Sequence, residues 1–162
     1  MSDTGSDAAP EGARDATEDM AAGAKADVAR RFIEQIPHAH ALSMRVDQLG
    51  DGRAELSMPY DSRLVGDPRN GVIHGGAVSA LLDTCGGTAV LSHPEGPAQT
   101  ATISLRIDYM RAATPGQRLV ARAECYHVTR SVAFVRATAT DDDRGHPVAT
   151  ATGTFTADGG AE

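Results

Sequence analysis

Residues 70–91 read NGVIHGGAVSALLDTCGGTAVL, a glycine-rich turn that runs directly into the one stretch suited to a long central helix. His74-Gly75-Gly76 stands at the predicted helix start. The backbone N–H groups of a first helical turn have no partner inside the helix, so they favour negative charge. Glycine at positions 75 and 76 would let a ligand approach these N–H groups closely.

A wheel of about 100° per residue divides this helix into two unlike sides. One side is ordinary core and holds Ala77, Val78, Leu81, Leu82, Cys85, Thr88 and Ala89. The other has one carboxylate among small residues: Gly76, Ser79, Ala80, Asp83, Gly86, Gly87 and Val90. Each glycine inside a helix costs about 1 kcal/mol relative to alanine. We therefore expect this groove to receive another backbone or a ligand, although Asp83 could instead be a structural buried acid.

Gly75 and Asp83 are eight residues apart, which is about 12 Å along one helix. An aspartate side chain cannot span that distance. If the helix-start N–H and the carboxylate act on one reacting atom, they must come from two copies of the helix that lie antiparallel. This reasoning predicts a dimeric active unit.

The composition indicates one soluble domain. A chain of 162 residues is long enough for one proper core. A net charge of −7 and a pI near 5.3 argue against nonspecific nucleic-acid binding. No apolar run approaches the roughly 20 residues that span a bilayer, and the N-terminus has no signal-peptide core, so a cytoplasmic protein is expected.

Cys85 and Cys125 lack metal-ligand spacing and are interpreted as buried apolar side chains, so no metal or cofactor is expected.

The ends of the chain are expected to lie outside the folded domain. Residues 1–24 are rich in Gly, Ala, Asp and Glu and predict a disordered acidic tail. One domain is expected over 25–157, followed by a short tail over 158–162. The spacing of Val28, Phe32 and Ile36 predicts a short helix over 26–36 that ends at Pro37.

His38 and His40 follow in a stretch interpreted as a loop. Two histidines at this spacing could ligate a metal, but the sequence offers no third ligand nearby. Solvated loop histidines are the favoured interpretation, with one of them lining an acyl pocket as the alternative.

Six runs have the period-two alternation or the turn signals of antiparallel strands. They cover 43–49, 53–58, 99–109, 118–128, 131–140 and 147–156. Gly50-Asp51-Gly52 predicts a hairpin between the first two, Thr129-Arg130 joins two later strands, and 59–69 is interpreted as a loop. The predicted fold is α+β, with about six strands curved around one long helix and a short N-terminal helix.

Three features together resemble the hotdog-fold acyl-CoA thioesterases of the PaaI-like (phenylacetate-degradation) branch. They are GVIHGG at 71–76, Asp83 nine residues after His74, and YMRAATPG at 109–116. The resemblance covers about residues 40–156. It implies an acyl-CoA substrate and a homodimer, or a dimer of dimers, whose sheets become continuous and whose site lies at the subunit interface.

The resemblance also implies roles for individual residues. The Gly75 N–H would polarise the thioester carbonyl, while Asp83 of the other subunit would act as base or nucleophile. His74 would lie beside the carbonyl oxygen and orient the turn or the substrate, or would be a structural histidine that ties down the loop. Thr102 falls where relatives carry a Ser or Thr that helps to hold the nucleophilic water.

Substrate contacts are less well marked. Relatives often carry an Asn six residues before the motif histidine, where this chain has Pro68, so Asn70 is only a partial counterpart. Arg111 and Arg130 are candidates for the CoA phosphates, because guanidinium suits phosphate geometry, with solvated surface arginines as the alternative. Gly76 is expected to contact the substrate through its backbone.

Three functions are compatible with these features. Thioester hydrolysis fits the HGG turn with one downstream carboxylate. A non-catalytic acyl-CoA sensor is the alternative from another class, although the chain shows no basic helix-turn-helix segment for an output. A hotdog dehydratase or hydratase would need a histidine and an aspartate placed as acid and base at one alkene.

Overall fold

The structure is a computed structural model, which describes residue 27, residues 30 and 31, and residues 33–157. The predicted tails over 1–24 and 158–162 lie outside the described residues. The boundaries 25–157 for a single domain therefore stay a prediction.

The N-terminal part of the described chain is helical and packs on the core. Residues 30, 31 and 33–35 are helical, as predicted, while Val28 and Phe32 lie outside the described residues. Ile33 is buried and Ile36 packs against the core. The prediction of a loop after Pro37 is wrong, because Pro37–Ala41 forms helix α1. Proline suits a first helical position, where its missing N–H has no partner to lose.

The first hairpin forms as predicted. Strands β1 (Arg45–Gly50) and β2 (Arg53–Met58) pair antiparallel. Asp51 and Gly52 have φ values of 50° and 75°, the left-handed conformation that a tight two-residue hairpin needs.

The segment before the central helix is more ordered than the predicted loop. It contains a 3₁₀ turn (Ser62–Leu64) and a two-stranded sheet of β3 (Val65–Asp67) with β4 (Val72–Ile73). The Asp61 carboxylate accepts a hydrogen bond from the Arg63 N–H at 2.8 Å and so begins the 3₁₀ turn. This small sheet delivers the chain to the start of the central helix.

The remaining elements are one helix and four strands. Helix α2 covers Gly75–Ser92, and the strands are β5 (Thr102–Tyr109), β6 (Leu119–Val128), β7 (Val132–Thr140) and β8 (Ala149–Thr156). The six-stranded antiparallel sheet has the order β1-β2-β6-β7-β8-β5. Strand β5 therefore lies at one edge. The fold class predicted from the sequence is confirmed.

The two sides of α2 differ as predicted over its first half only. All seven residues assigned to the core side are buried, whereas Gly76 is exposed and Asp83 is half-buried on the other side. Gly86 and Val90, also assigned to the small side, are buried, and Gly86 faces the Phe155 ring. The groove of small residues thus covers the part of the helix before Gly86, and Gly87 beyond it is half-buried. No helix in the described part of the chain has the length and apolar character to cross a membrane.

Candidate active site

The start of α2 is held by a histidine cap. His74 is the N-cap residue, and its Nδ1 accepts a hydrogen bond from the Gly76 N–H at 2.9 Å. The His74 carbonyl accepts from the Ala77 N–H at 3.0 Å, and the His74 N–H donates to Leu64 O at 2.8 Å. As an acceptor, Nδ1 carries no proton, so a neutral His74 has its proton on Nε2.

Glycine at position 76 is required by this cap. A Cβ built on Gly76 would lie 2.9 Å from His74 Nδ1, closer than such contacts occur. The N–H of Gly75 is the first of the helix and has no intrahelical acceptor. The turn therefore leaves one backbone donor at the helix start, as the sequence predicts.

Asp83 lies two turns further along α2, beside the first residue of β5. The Thr102 hydroxyl donates a hydrogen bond to Asp83 Oδ1 at 2.7 Å. The structure thus brings together two of the residues that the resemblance implies. Asp83 and Gly75 lie on one continuous helix, so the backbones of the two residues are about 12 Å apart along its axis.

Two cavities flank the helix start. One, of about 300 Å³, is lined by Gly75 and Tyr109 together with aliphatic side chains, including Val72, Ile73, Val78, Met110 and Val148. The other, of about 400 Å³, is lined by His38, Arg63, His74, Gly76 and neighbours. An apolar space and a more polar one thus meet at the glycine turn.

A group of polar contacts at Gly75 was not predicted from the sequence. The Tyr109 hydroxyl donates to Gly75 O at 2.7 Å and lies 2.6 Å from the Ser79 hydroxyl. Ser79 Oγ also lies 3.1 Å from Gly75 O, but its single proton is donated to the Tyr109 oxygen when Tyr109 donates to Gly75 O. Tyr109 was visible in the YMRAATPG motif, but only the position of β5 against α2 shows what it contacts.

Arg111 is engaged within its own chain. Its guanidinium forms two short hydrogen bonds to Asp141, at 2.8 and 2.6 Å, and others to the carbonyls of His146 and Ala112. These bonds take all five guanidinium N–H donors. The hydrogen bond from Arg111 holds the pKa of the buried Asp141 carboxyl well below its usual range. Arg111 therefore braces the wall of the apolar cavity and has no donor left for a phosphate.

The other predicted substrate contacts lie at turns. Asn70 is exposed, and its side-chain oxygen accepts from the Val72 N–H at 3.0 Å, which orders the turn before β4. Arg130 is exposed in the turn between β6 and β7. His38 lines the more polar cavity, while His40 is exposed on α1.

The cysteines are not suited to nucleophilic chemistry. Cys85 is fully buried, and burial raises the pKa of its thiol to about 12. Cys125 is also buried, and burial raises the pKa of its thiol. A thiol in such surroundings stays protonated and unreactive. Among the described residues, no three His, Cys, Asp or Glu side chains form a group that could hold a metal ion.

Comparison with known proteins places this geometry in a family. The thioesterase superfamily pattern matches residues 70–148, which contain the glycine turn, α2 and Asp83. A Halobacterium salinarum protein that carries an esterase name is 37% identical over 98 residues, which are 56% of this chain and 65% of the relative. The Escherichia coli medium/long-chain acyl-CoA thioesterase YigI is 25% identical over 141 residues, 79% of this chain and 90% of that protein.

A solved structure agrees over nearly its whole length. A mutant of the phenylacetic acid degradation protein PaaI from Thermus thermophilus is 31% identical, with a TM-score of 0.65. The match covers 74% of this chain and 97% of that structure. The chain belongs to the thioesterase superfamily and is a hotdog-fold thioester hydrolase of the PaaI-like branch.

Proposed function

We propose that this protein hydrolyses acyl-CoA thioesters to the free acid and CoA. The observation that carries the proposal is the Asp83 carboxylate, which is hydrogen-bonded by Thr102 and lies on the same helix as the Gly75 N–H. An acceptor for a proton and a fixed donor for an oxyanion are the two groups that thioester hydrolysis needs. The name of the YigI relative supports acyl-CoA as the substrate class.

The reaction centre requires two chains. Gly75 and Asp83 are separated by about 12 Å along one helix, so one carbonyl can contact both groups only if a second copy supplies one of them. Strand β5 carries Thr102 at an edge of the sheet and exposes Ile103, which is 55% accessible. An exposed edge of this kind is suited to pairing with a second copy. We therefore infer a homodimer, assembled further as a dimer of dimers.

In this centre the Gly75 N–H of one subunit binds the thioester carbonyl oxygen. Asp83 of the other subunit takes a proton from water, and the resulting hydroxide attacks the carbonyl carbon. Negative charge moves to the oxygen, where a backbone donor is worth about 10²–10³ in rate. The carbon–sulfur bond then breaks, and the CoA thiolate takes up the proton. Direct attack by Asp83, with an anhydride intermediate that water opens, is the second route.

The two cavities suit the two halves of the substrate. The acyl group and the sulfur leave the carbonyl carbon in different directions, so each needs its own space. We assign the acyl group to the aliphatic cavity of about 300 Å³ and the pantetheine arm to the cavity lined by His38 and His74. Arg130 remains the candidate for a CoA phosphate, while Asn70 and Gly76 shape the turn.

The unpaired Cys85 and Cys125 suit the reducing cytoplasm, which is the compartment that we propose.

A thiol-release assay over a panel of acyl-CoA esters tests the proposal. Asp83→Asn should lower kcat by about 10² or more while the protein stays folded. The control is Asp47→Asn, since Asp47 is an exposed carboxylate on β1. Wild-type protein that binds acyl-CoA and releases no thiol would refute hydrolysis and support the sensor.

A further inference from the structure

The proposed oxyanion donor belongs to a pair of consecutive glycines, whose backbone has high intrinsic freedom. Gly75 and Gly76 both lack a Cβ, and consecutive glycines have more backbone freedom than any other pair. A donor stabilises a transition state only if it is already aimed at the place where charge develops. Other contacts must therefore fix the direction of the Gly75 N–H.

The peptide that joins Gly75 to Gly76 is held at both ends. Its oxygen, Gly75 O, accepts from the Tyr109 hydroxyl at 2.7 Å, and the Tyr109 oxygen in turn accepts from Ser79 Oγ at 2.6 Å. Its N–H, on Gly76, donates to His74 Nδ1 at 2.9 Å. Hydrogen bonds at the two ends of one peptide polarise it and strengthen each other. The plane of this peptide is thus fixed from strand β5 on one side and from the cap on the other.

The peptide that carries the Gly75 N–H is held as well. Its oxygen, His74 O, accepts from the Ala77 N–H at 3.0 Å. The Tyr109 ring adds a steric limit, because a Cβ built on Gly75 would lie 3.3 Å from the ring. With both planes next to Gly75 fixed, the Gly75 N–H has one direction.

We propose that Tyr109 is a positioning residue of the thioester site, which acts through Gly75 with Ser79 as its second contact. The inference rests on the proposed function. Charge on the carbonyl oxygen grows mainly in the transition state, so a misaligned N–H lowers kcat more than it changes KM. A tyrosine that only packed on the edge strand would not produce this difference.

The test compares Tyr109→Phe with Tyr126→Phe. Tyr126 is a fair control because its exposure, 52%, matches the 50% of Tyr109, and its ring contacts Phe134 on a different part of the sheet. We expect Tyr109→Phe to lower kcat about tenfold with KM within about threefold, and Tyr126→Phe to leave both unchanged. Ser79→Ala should lower kcat less, and the double variant should lose less than the product of the two effects.

Amide NMR gives a readout that does not depend on turnover. In ¹⁵N-labelled protein, the Gly75 and Gly76 amide signals should shift in Tyr109→Phe and stay in place in Tyr126→Phe. If Tyr109→Phe does not fold, Ser79→Ala decides with the same two measurements. The inference would be overturned if Tyr109→Phe kept the kcat of the wild type and left the glycine signals in place. It would also be overturned if Tyr109→Phe changed KM alone. A wild type without turnover would instead refute the proposed function, with the amide shifts still reporting the contact.

Discussion

Thr102 Oγ1 lies 2.7 Å from Asp83 Oδ1 and donates a hydrogen bond to it. The hydroxyl belongs to the first residue of edge strand β5 and the carboxylate to the central helix. The bond leaves Oδ2 as the oxygen that can accept a proton from water. The edge of the sheet therefore sets the orientation of the carboxylate that we propose as the base.

Thr102→Val removes this donor without changing the shape of the side chain. We expect kcat to fall about tenfold, because the carboxylate loses its orientation while its charge remains. Thr102→Ser, which keeps the hydroxyl, should stay within about threefold of the wild type. Both are measured by thiol release with one acyl-CoA substrate. Wild-type kcat in Thr102→Val together with a loss in Thr102→Ser would show that the methyl group, not the hydroxyl, matters at this position.

The two neighbouring glycines of α2 have opposite surroundings. A Cβ on Gly86 would lie 2.8 Å from Phe155 Cζ, whereas the nearest atom to a Cβ on Gly87, in the Phe155 ring, would lie 3.7 Å away. Phe155 is 1% exposed and cannot move aside. Gly86→Ala should therefore destabilise the fold by about 1–3 kcal/mol, because the core becomes overpacked.

Gly87→Ala is the matched variant on the same helix. Alanine has the higher helix propensity, so the free energy of unfolding should rise by up to about 1 kcal/mol. Urea denaturation of both variants measures the two changes in the free energy of unfolding. Destabilisation by Gly87→Ala would indicate that another chain or a ligand occupies the space at this glycine.

Periodicity predicted much of this fold because its main elements are long. Strands of eight to ten residues, such as β5 and β6, show the period-two alternation clearly, and the helix wheel separates core from groove before Gly86. The β3 and β4 strands have three and two residues, too few for any period to appear. Their pairing depends on the turn chemistry of Asp67 and Asn70, which the sequence suggests only as a loop.

The candidate site could be predicted where its residues share one segment. His74, Gly75 and Asp83 follow from one helix, and Thr102 followed from the resemblance alone. Tyr109 and Gly75 are 34 residues apart, and their contact depends on where β5 passes the helix. The ion pair of Arg111 likewise joins residues that only the sheet brings together. Arg111 was therefore predicted to face solvent or a phosphate, since its partner Asp141 cannot be recognised in the sequence.

The Arg111–Asp141 pair should make stability depend on pH in the acid range. The hydrogen bond from Arg111 lowers the pKa of Asp141 in the folded state below the unfolded value of about 3.9. A lowered folded-state pKa contributes stability that is fully present above pH 4 and is lost as the pH falls toward the folded value. Asp141→Asn should cost about 3 kcal/mol at pH 7, because Arg111 is left without its partner.

Chemical denaturation between pH 7 and pH 2.5 measures this effect. The difference between wild type and Asp141→Asn should shrink as the pH falls below about 4. Asp108→Asn is the control, since the Arg106–Asp108 pair is exposed and should contribute within about 1 kcal/mol. A difference that stayed constant with pH would mean that the carboxylate acts through packing and not through its charge.

Substitutions at His74 can distinguish its role as a helix cap from a direct role in the reaction. Its Nδ1 caps the helix through the Gly76 N–H, a role that asparagine can also fill. His74→Ala should lower the free energy of unfolding by about 1 kcal/mol and reduce kcat, because the glycine turn loses its anchor. His74→Asn should restore the stability and keep kcat within about threefold of the wild type, since the turn is oriented again. Thermal unfolding measures the stability of each variant, and thiol release on the same samples measures its kcat. An asparagine variant of full stability with kcat reduced by about 10² would show instead that the imidazole itself contacts the substrate carbonyl.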